Sequence, residues 1–181
     1  MAKAALQLFT SPGSRAQIIE FAALELGVTL DLVPAGDRNS EAYRAVHPFG
    51  KLPAAVASDG TAIFESGAIL LYMADASGAA DTPSTRANLS KWVLWANASL
   101  WPAVESSRKI PPPMLACLES ILVSKPFLLG DKLTVADIAV GSYLHYSQAF
   151  FGEKFLTAPA VARYVKAIQQ RPAFAQSIGN E

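Results

Sequence analysis

Cysteine and histidine are scarce: the 181 residues include one cysteine, Cys117, and two histidines, His47 and His145. A single cysteine can form neither an internal disulfide nor a metal site built from cysteines alone, and the two histidines lie far apart in the sequence. Cys117 falls in a predicted helix, where we interpret it as a small buried apolar side chain. The sequence therefore predicts no metal cofactor and a reducing, cytoplasmic location.

Charge of either sign is also limited, and it is balanced. Lys and Arg number 15, Asp and Glu number 15, and the formal net charge is 0, so no basic stripe suggests a nucleic-acid surface. The longest uncharged run, Ile138 to Gly152, contains serine, histidine and glutamine and is too short and polar to span a bilayer. The apolar start of the chain lacks the layout of a signal peptide. We expect neither a nucleic-acid partner nor a membrane partner.

The first part of the chain alternates between strand and helix patterns. Hydrophobic residues make up 51% of the sequence, which permits a substantial core. Ser14 and Gln17 have capping-box spacing, Gly27 is placed to end that helix, and Asp59-Gly60 is a hairpin signal. The pattern predicts strands at 4–9, 28–33, 52–57 and 61–64, and helices at 14–27, 38–46 and 66–77.

The second part contains helix patterns only. Residues 77–86, SGAADTPSTR, have the composition of a linker, and Thr134 and Asp137 form a second capping-box pattern. Helices are predicted at 83–108, 112–124, 134–150 and 159–170. The predicted fold class is an α/β domain (1–78), a linker (79–84) and an all-α domain (85–181).

A serine pair lies at the first strand-to-helix junction. Ser11 and Ser14 bracket Pro12-Gly13 where thioredoxin-like proteins place a C-x-x-C motif. Serine cannot form a disulfide, and the sequence places no histidine base nearby, so hydrogen bonding is the chemistry that remains. Ser14 fits a helix cap. Ser11 is not needed for that cap, and both a structural and a functional role stay open for it.

Two further pairs interrupt apolar segments. A cis Leu52-Pro53 bond would turn the Leu52 backbone toward a peptide-like ligand, whereas a trans proline at the first strand position is the simpler alternative. Ser66 fits a helix N-cap. A helix N-terminus with Glu65 beside it also suits the carboxylate and ammonium of an amino-acid head group.

These features together resemble the soluble glutathione S-transferase family. The resemblance covers essentially the whole chain and rests on four ordered motifs: Ser11, HPFGKLPA at 47–54, FESGAILLYM at 64–73 and FLLGDKLTVADIAV at 127–140. It implies a thioredoxin-like N-terminal domain with a cis Pro53, followed by a helical domain in which Asp137 is a structural cap.

The resemblance also implies a site for glutathione as co-substrate. Ser11 matches the serine with which theta-like members hydrogen-bond the glutathione sulfur. Leu52, ahead of Pro53, would pair its backbone with the cysteinyl unit, and Lys51 would help to anchor the ligand. Glu65 and Ser66 would hold the γ-glutamyl head group.

Some positions depart from the family pattern. Arg38 stands near the usual glycine-carboxylate site without a clear match, and no tyrosine ends the first strand. The short helical part is similar to the transferase-like domain of the elongation factor gamma subunit and to chi-like bacterial transferases. An electrophile pocket is expected between the domains, with Trp95, Trp101 and Arg108 as candidate lining residues. For the two tryptophans, a position in the hydrophobic core is the alternative.

The first expectation is a cytoplasmic, homodimeric glutathione transferase that adds the thiolate to small hydrophobic electrophiles, with a peroxidase side activity. The alternative is a non-catalytic interaction module like the elongation-factor domain, which binds proteins through its helical face. Because the 181 residues contain no further domain or basic segment, we favour the enzyme. A glutathione-dependent lyase or isomerase is a third interpretation that the sequence leaves open.

Overall fold

A four-stranded mixed sheet forms the centre of the N-terminal half. The computed structural model describes residues 5–180, so Ala4, the first residue of the predicted strand 4–9, lies outside the described part. The strands are β1 (Ala5–Thr10), β2 (Thr29–Pro34), β3 (Ala54–Ala57) and β4 (Ala62–Phe64). Their order is β2-β1-β3-β4, with β2 parallel to β1 and the other pairs antiparallel.

Helices cover the sheet because alternate strand residues are apolar. Three helices belong to this half: α1 (Ala16–Leu26), α2 (Glu41–Val46) and α3 (Ser66–Ala76). Leu6 and Leu8 of β1 are buried together with Phe21 of α1 and Leu70 of α3. This burial of one strand face against helices is the arrangement that the period-2 pattern predicts.

The rest of the described chain is helical. Its elements are α4 (Pro83–Trp95), a π-helical segment (Ala96–Leu100), α5 (Trp101–Ser107), α6 (Pro112–Leu122), α7 (Val135–Phe151), α8 (Pro159–Gln169), α9 (Pro172–Ala175) and a 3-10 turn (Ile178–Asn180). The predicted fold class, an α/β half followed by an all-α half, is confirmed. The domain boundaries at 78 and 85 stay a prediction. Among residues 5–180, we find no helix with the length and apolarity that crossing a membrane demands.

The two predicted capping boxes have different outcomes. Asp137 accepts hydrogen bonds from the Thr134 N–H and hydroxyl, both at 2.9 Å, which confirms the second box. The first predicted box, at Ser14 and Gln17, is wrong. Helix α1 begins at Ala16, and the side chain of its N-cap residue, Arg15, makes no capping hydrogen bond. The Ser14 hydroxyl instead accepts from the Ala16 N–H at 3.4 Å.

Candidate functional site

The predicted site residues, although drawn from separate segments, line one cavity of about 810 Å³. It is bounded by the β1–α1 turn, the end of β2, the loop before β3 and the start of α3. The predicted residues in its lining are Ser11, Lys51, Leu52, Pro53, Glu65 and Ser66, and they are joined there by Arg15, Arg38 and His47.

Ser11 stands in the turn after β1 with its hydroxyl available. Its N–H lies 3.5 Å from the Ser14 hydroxyl and its carbonyl accepts from the Ser14 N–H at 3.1 Å, so the main chain is fixed. Gly13 has φ 67°, which the tight turn requires. Within residues 5–180 the Ser11 side chain has no hydrogen-bond partner, and the residue is exposed. It can therefore donate to an incoming acceptor.

The loop before β3 is held by α2. The Tyr43 hydroxyl donates to the Lys51 carbonyl at 2.7 Å, and Arg44 donates to the Pro48 carbonyl at 2.9 Å. Gly50 has φ 62°, and a Cβ there would lie 2.8 Å from the Arg38 carbonyl oxygen. Only glycine fits this close approach, which brings the segment around Arg38 against the loop.

Leu52 presents its main chain beside the cavity. The Leu52–Pro53 peptide bond is cis, as the resemblance implies. No main-chain hydrogen bond joins Leu52 to another residue between 5 and 180. Its N–H and C=O are therefore free to pair with an extended, peptide-like ligand.

Glu65 and Ser66 occupy the start of α3, but not as the N-cap pattern predicts. The helix begins at Ser66, and Glu65 is the N-cap residue, with φ 70° and ψ 123° and no side-chain cap. The predicted capping role of Ser66 is wrong, because its hydroxyl donates to Oδ1 of Asn97 at 3.0 Å. A non-glycine residue with such a φ is strained, and strain of this kind clusters at ligand sites.

Positive charge predominates in the cavity. Arg15, Arg38 and Lys51 line it, and none of them forms an ion pair with a carboxylate of the described chain. Glu65 is the acidic residue of the lining. The cavity therefore suits a ligand with more than one anionic group and a single cationic group.

His47 is a polar residue of the lining that is almost fully buried, with 2% of its surface exposed. Its Nδ1 accepts from the Phe49 N–H at 3.3 Å, so the neutral ring carries its proton on Nε2. Burial lowers the pKa of His47, and the nearby Glu65 carboxylate opposes this shift. The ring is therefore neutral at pH 7.

Four residues at or beside the cavity were not predicted to have a role in the site: Arg15, His47, Asn97 and Tyr143. The Arg15 guanidinium lies 6.0 Å from the ring centre of Trp101 and 5.9 Å from that of Tyr143. Arg15 follows Ser11 by four positions, a spacing that could have been noticed. Asn97 and Tyr143 carry no local signal, because their partners come from distant helices.

The three residues proposed for the electrophile pocket do not line this cavity. Trp101 is buried between Tyr143 and Phe151, so the alternative that it is core is correct. Arg108 covers the Phe151 ring at 4.9 Å. Trp95 lies in a separate apolar groove together with Cys117, which is exposed, so the expectation of a buried thiol is wrong.

Among residues 5–180, no group of three or more His, Cys, Asp or Glu side chains is arranged to hold a metal ion.

A small mixed sheet with a cis-proline loop, joined to an all-helical half, defines the class of the glutathione transferases. The N-terminal and C-terminal domain models of glutathione S-transferase match residues 13–76 and 103–178. The chain belongs to the glutathione S-transferase family.

Relatives and solved structures agree with this assignment. Elongation factor 1-gamma of Danio rerio is 28% identical over 97% of this chain and 46% of its own length. The human protein is 30% identical over 51% of this chain and 25% of its own length. The chain thus spans less than half the length of these curated relatives.

Two solved structures show the same fold over nearly their entire length. The glutathione transferase URE2P5 from Phanerochaete chrysosporium has a TM-score of 0.82 and 22% identity, covering 99% of this chain and 96% of that one. The theta class glutathione S-transferase from Xanthomonas axonopodis pv. citri, with glutathione bound, has a TM-score of 0.81, 21% identity and 97% coverage of both chains. At these identities the likeness establishes the glutathione transferase fold.

Proposed function

We propose that the protein is a glutathione transferase in which Ser11 stabilises the thiolate of bound glutathione for addition to small hydrophobic electrophiles. The observation that carries this proposal is that residues predicted from separate sequence motifs line a single cavity. A related fold with glutathione bound supports the choice of ligand.

The cavity offers a complementary group for each part of glutathione. The unpaired main chain of Leu52 suits the cysteinyl unit. Glu65 suits the γ-glutamyl ammonium, and the free N–H groups at the start of α3 suit its carboxylate. Lys51 and Arg38 supply cations for the glycine carboxylate.

The energy that Ser11 must provide is modest. A thiol with a pKa of about 8.5 is only about 3% thiolate at pH 7. Lowering that pKa by about two units takes roughly 2.7 kcal/mol and increases the thiolate roughly 25-fold. One hydrogen bond to a charged acceptor contributes about 1.5–3 kcal/mol. Serine is therefore sufficient, and proximity to the electrophile completes the reaction.

Calorimetry with glutathione, followed by turnover of 1-chloro-2,4-dinitrobenzene and an isothiocyanate, tests the proposal. We expect binding in the micromolar to low-millimolar range. Ser11→Ala should keep the fold, lose most turnover and raise the pH at which the bound thiol ionises. Ser84→Ala, an exposed position at the start of α4, is the matched control. If the protein does not bind glutathione at several millimolar, the enzyme proposal is contradicted.

A second candidate function is a non-catalytic interaction module. The observation in its favour is the 28% identity to elongation factor 1-gamma over 97% of this chain. Several exposed apolar side chains on the helical half could serve such a role: Leu94, Val123, Phe150 and Leu156. In a module, Ser11→Ala has no effect on function, whereas in the enzyme it abolishes most turnover.

We also propose a homodimer in the cytoplasm, with a role in detoxification and a peroxidase side activity toward organic hydroperoxides. Phe49, with 67% of its surface exposed beside the cavity, is an apolar group that a second copy can cover. Light scattering coupled to size exclusion should give twice the mass of the chain, and Phe49→Ser should shift it toward the monomer.

A further inference from the structure

We propose that the outer edge of β2 binds an extended segment of a partner protein, in which apolar and basic residues alternate, by adding that segment to the sheet as a fifth strand. The edge is formed by Thr29–Pro34. The inference goes beyond the proposed function and does not depend on it, because glutathione takes no part in the binding.

The main chain of β2 leaves one side without a strand partner. In the order β2-β1-β3-β4 it is an outermost strand, and among residues 5–180 it pairs with β1 alone. The Ala35 N–H, just past the strand, donates to the Thr10 carbonyl of β1 at 3.1 Å. Main-chain groups of successive strand residues point to alternate sides, so residues an odd number of positions before Ala35 point away from β1. The N–H and C=O groups of Leu30 and Leu32 therefore face outward and can pair with an added strand.

The side chains of Leu30 and Leu32 continue the buried apolar layer of the sheet to this edge. Leu30 is in register with Leu6 of β1, which is 1% exposed. Leu32 is in register with the fully buried Leu8 but is itself 49% exposed, since the described sheet ends there. Leu24 of α1, also 49% exposed, borders a groove of about 290 Å³ together with these two β2 leucines. An added strand with apolar side chains on this face would extend the layer by one row.

Negative charge accompanies the apolar groove. Glu20 of α1 lines it, and the described residues of the lining include no lysine or arginine. Asp31 is exposed on the opposite face of β2, where the Gln7 amide donates to its carboxylate at 3.4 Å. Because successive side chains of a strand lie on opposite faces, a partner residue beside Asp31 has neighbours in sequence that lie beside the leucines. The edge therefore suits a segment with basic residues on one face and apolar residues on the other.

A second copy of this chain fits the same edge less well. In the antiparallel pairing that sets Leu30 of each copy against Leu32 of the other, the two Asp31 side chains lie directly opposite each other. Like charges at directly opposite positions destabilise a strand pair. The carboxylate that opposes self-association attracts a basic partner, so we assign the edge to a basic segment of a different protein.

The probe is a synthetic octapeptide of alternating valine and lysine, acetylated and amidated at its ends and N-methylated at every lysine. Residues directly opposite in an antiparallel pair share a face, so the valines supply the main-chain hydrogen bonds to Leu30 and Leu32. Methylation at the lysines blocks only the other edge of the probe. Isothermal titration should give a dissociation constant of about 10–500 µM, as four hydrogen bonds and one apolar row permit.

A matched control probe has the same composition and charge but is N-methylated at every valine. It cannot donate to β2, so it should bind at least about tenfold more weakly. A third probe, with glutamate in place of each lysine, should also bind at least about fivefold more weakly. Equal binding of the two methylated lysine probes overturns the inference, because contact through charge and apolar area alone does not distinguish them.

Two matched variants locate the site on the protein. Leu32→Lys places a like charge in the groove and should weaken binding of the lysine-methylated probe at least about tenfold. Leu156→Lys makes the same change at a position that is 86% exposed in the helical half, and it should leave the affinity unchanged. If Leu32→Lys fails to fold, as judged by circular dichroism, Asp31→Lys at an exposed position replaces it with the same expected direction. Unchanged affinity in the folded variant overturns the inference.

Light scattering tests the other occupant of the edge. A mass that falls in Leu32→Lys and not in Leu156→Lys shows that a second copy covers β2, which overturns the assignment to a basic partner. A wild-type protein that binds no probe at about 1 mM also overturns the inference. Calorimetry with glutathione on the same preparation is unaffected by either outcome, so the proposed function is tested separately.

Discussion

The Arg171 guanidinium makes two parallel hydrogen bonds to the Glu25 carboxylate, Nε to Oε1 at 2.5 Å and Nη2 to Oε2 at 2.6 Å. The pair joins the end of the helical half to α1, the helix that directly follows the cavity-lining turn between β1 and α1. Nearby, Phe21 of α1 packs edge to face against Phe174, with ring centres 5.7 Å apart. The C-terminal segment therefore fastens the helical half to the sheet half at the helix that follows Ser11.

Arg171→Met should lower the free energy of unfolding by about 1–2 kcal/mol, because it leaves the largely buried Glu25 carboxylate without its partner. The Glu25 side chain is 11% exposed and that of Arg171 is 36% exposed. Chemical denaturation measures the loss. Arg86→Met is the matched control: Arg86 and Asp75 are 48% and 42% exposed, so its effect should be distinctly smaller. Equal effects of the two variants would show that the Arg171 pair has no special role.

Asp137→Ala should destabilise the fold by about 2–4 kcal/mol, because one buried carboxylate satisfies several donors. It accepts from the Leu128 N–H at 2.8 Å and from the Thr134 N–H and hydroxyl at 2.9 Å. Asp137→Asn retains one acceptor oxygen and should cost less. Thermal unfolding should show a midpoint lowered by about 2–4 °C per kcal/mol in a chain of this size. A change of less than 1 kcal/mol in the alanine variant would contradict the capping role.

Features encoded by neighbouring residues were predictable from the sequence. The Thr134–Asp137 box, the helix end at Gly27 and the strand pattern all depend on contacts within a few positions, and the structure contains them. The Ser66 hydroxyl was misassigned because cap patterns describe local partners only. The partner of Ser66 is Asn97, which lies 31 positions away. Such a contact depends on how α3 packs on α4.

The cavity itself was predicted through motifs and not through geometry. The motif around Pro53 and the Glu65-Ser66 pair located its lining, whereas no role in the site was predicted for Arg15 or for the buried His47. A tryptophan pattern could not distinguish core from pocket, and Trp101 is core. Aromatic residues at helical spacing serve both purposes, so the distinction requires the packing of α5 on α7.

Acid should destabilise the wild-type protein more than His47→Asn. The pKa of His47 in the fold lies below its ordinary value of about 6.5, so below that pH the unfolded chain binds a proton that the folded chain does not. The free energy of unfolding should therefore fall as the pH drops below about 6.5, and this component should be missing in the variant. His145 remains in both proteins and cancels in the comparison. If the free energies of unfolding of the two proteins change in parallel from pH 7.5 to 5, His47 is not the group responsible for the loss of stability in acid.

Glu65→Gly should raise stability while it weakens glutathione binding. Glu65 is held at φ 70°, a conformation that costs a non-glycine residue about 1–3 kcal/mol. Glycine removes that strain, although it gains about 0.5–1 kcal/mol of backbone freedom in the unfolded chain, so the net stabilisation should be about 1 kcal/mol. The same change deletes the carboxylate proposed for the γ-glutamyl ammonium, so the affinity should fall at least about tenfold.

Glu65→Gln separates the two effects of that change. It keeps the strained backbone and the side-chain length but removes the charge, so it should lose affinity like glycine without any rise in the unfolding midpoint. Calorimetric titration and thermal unfolding of both variants give the two quantities. A stabilised Glu65→Gly variant that keeps wild-type affinity would show that the backbone strain at position 65 is unrelated to ligand binding. By contrast, a Glu65→Gly variant with lower affinity and higher stability would connect the strain to ligand binding. The fold would then retain an unfavourable backbone conformation at position 65 because that conformation places the carboxylate at the cavity wall.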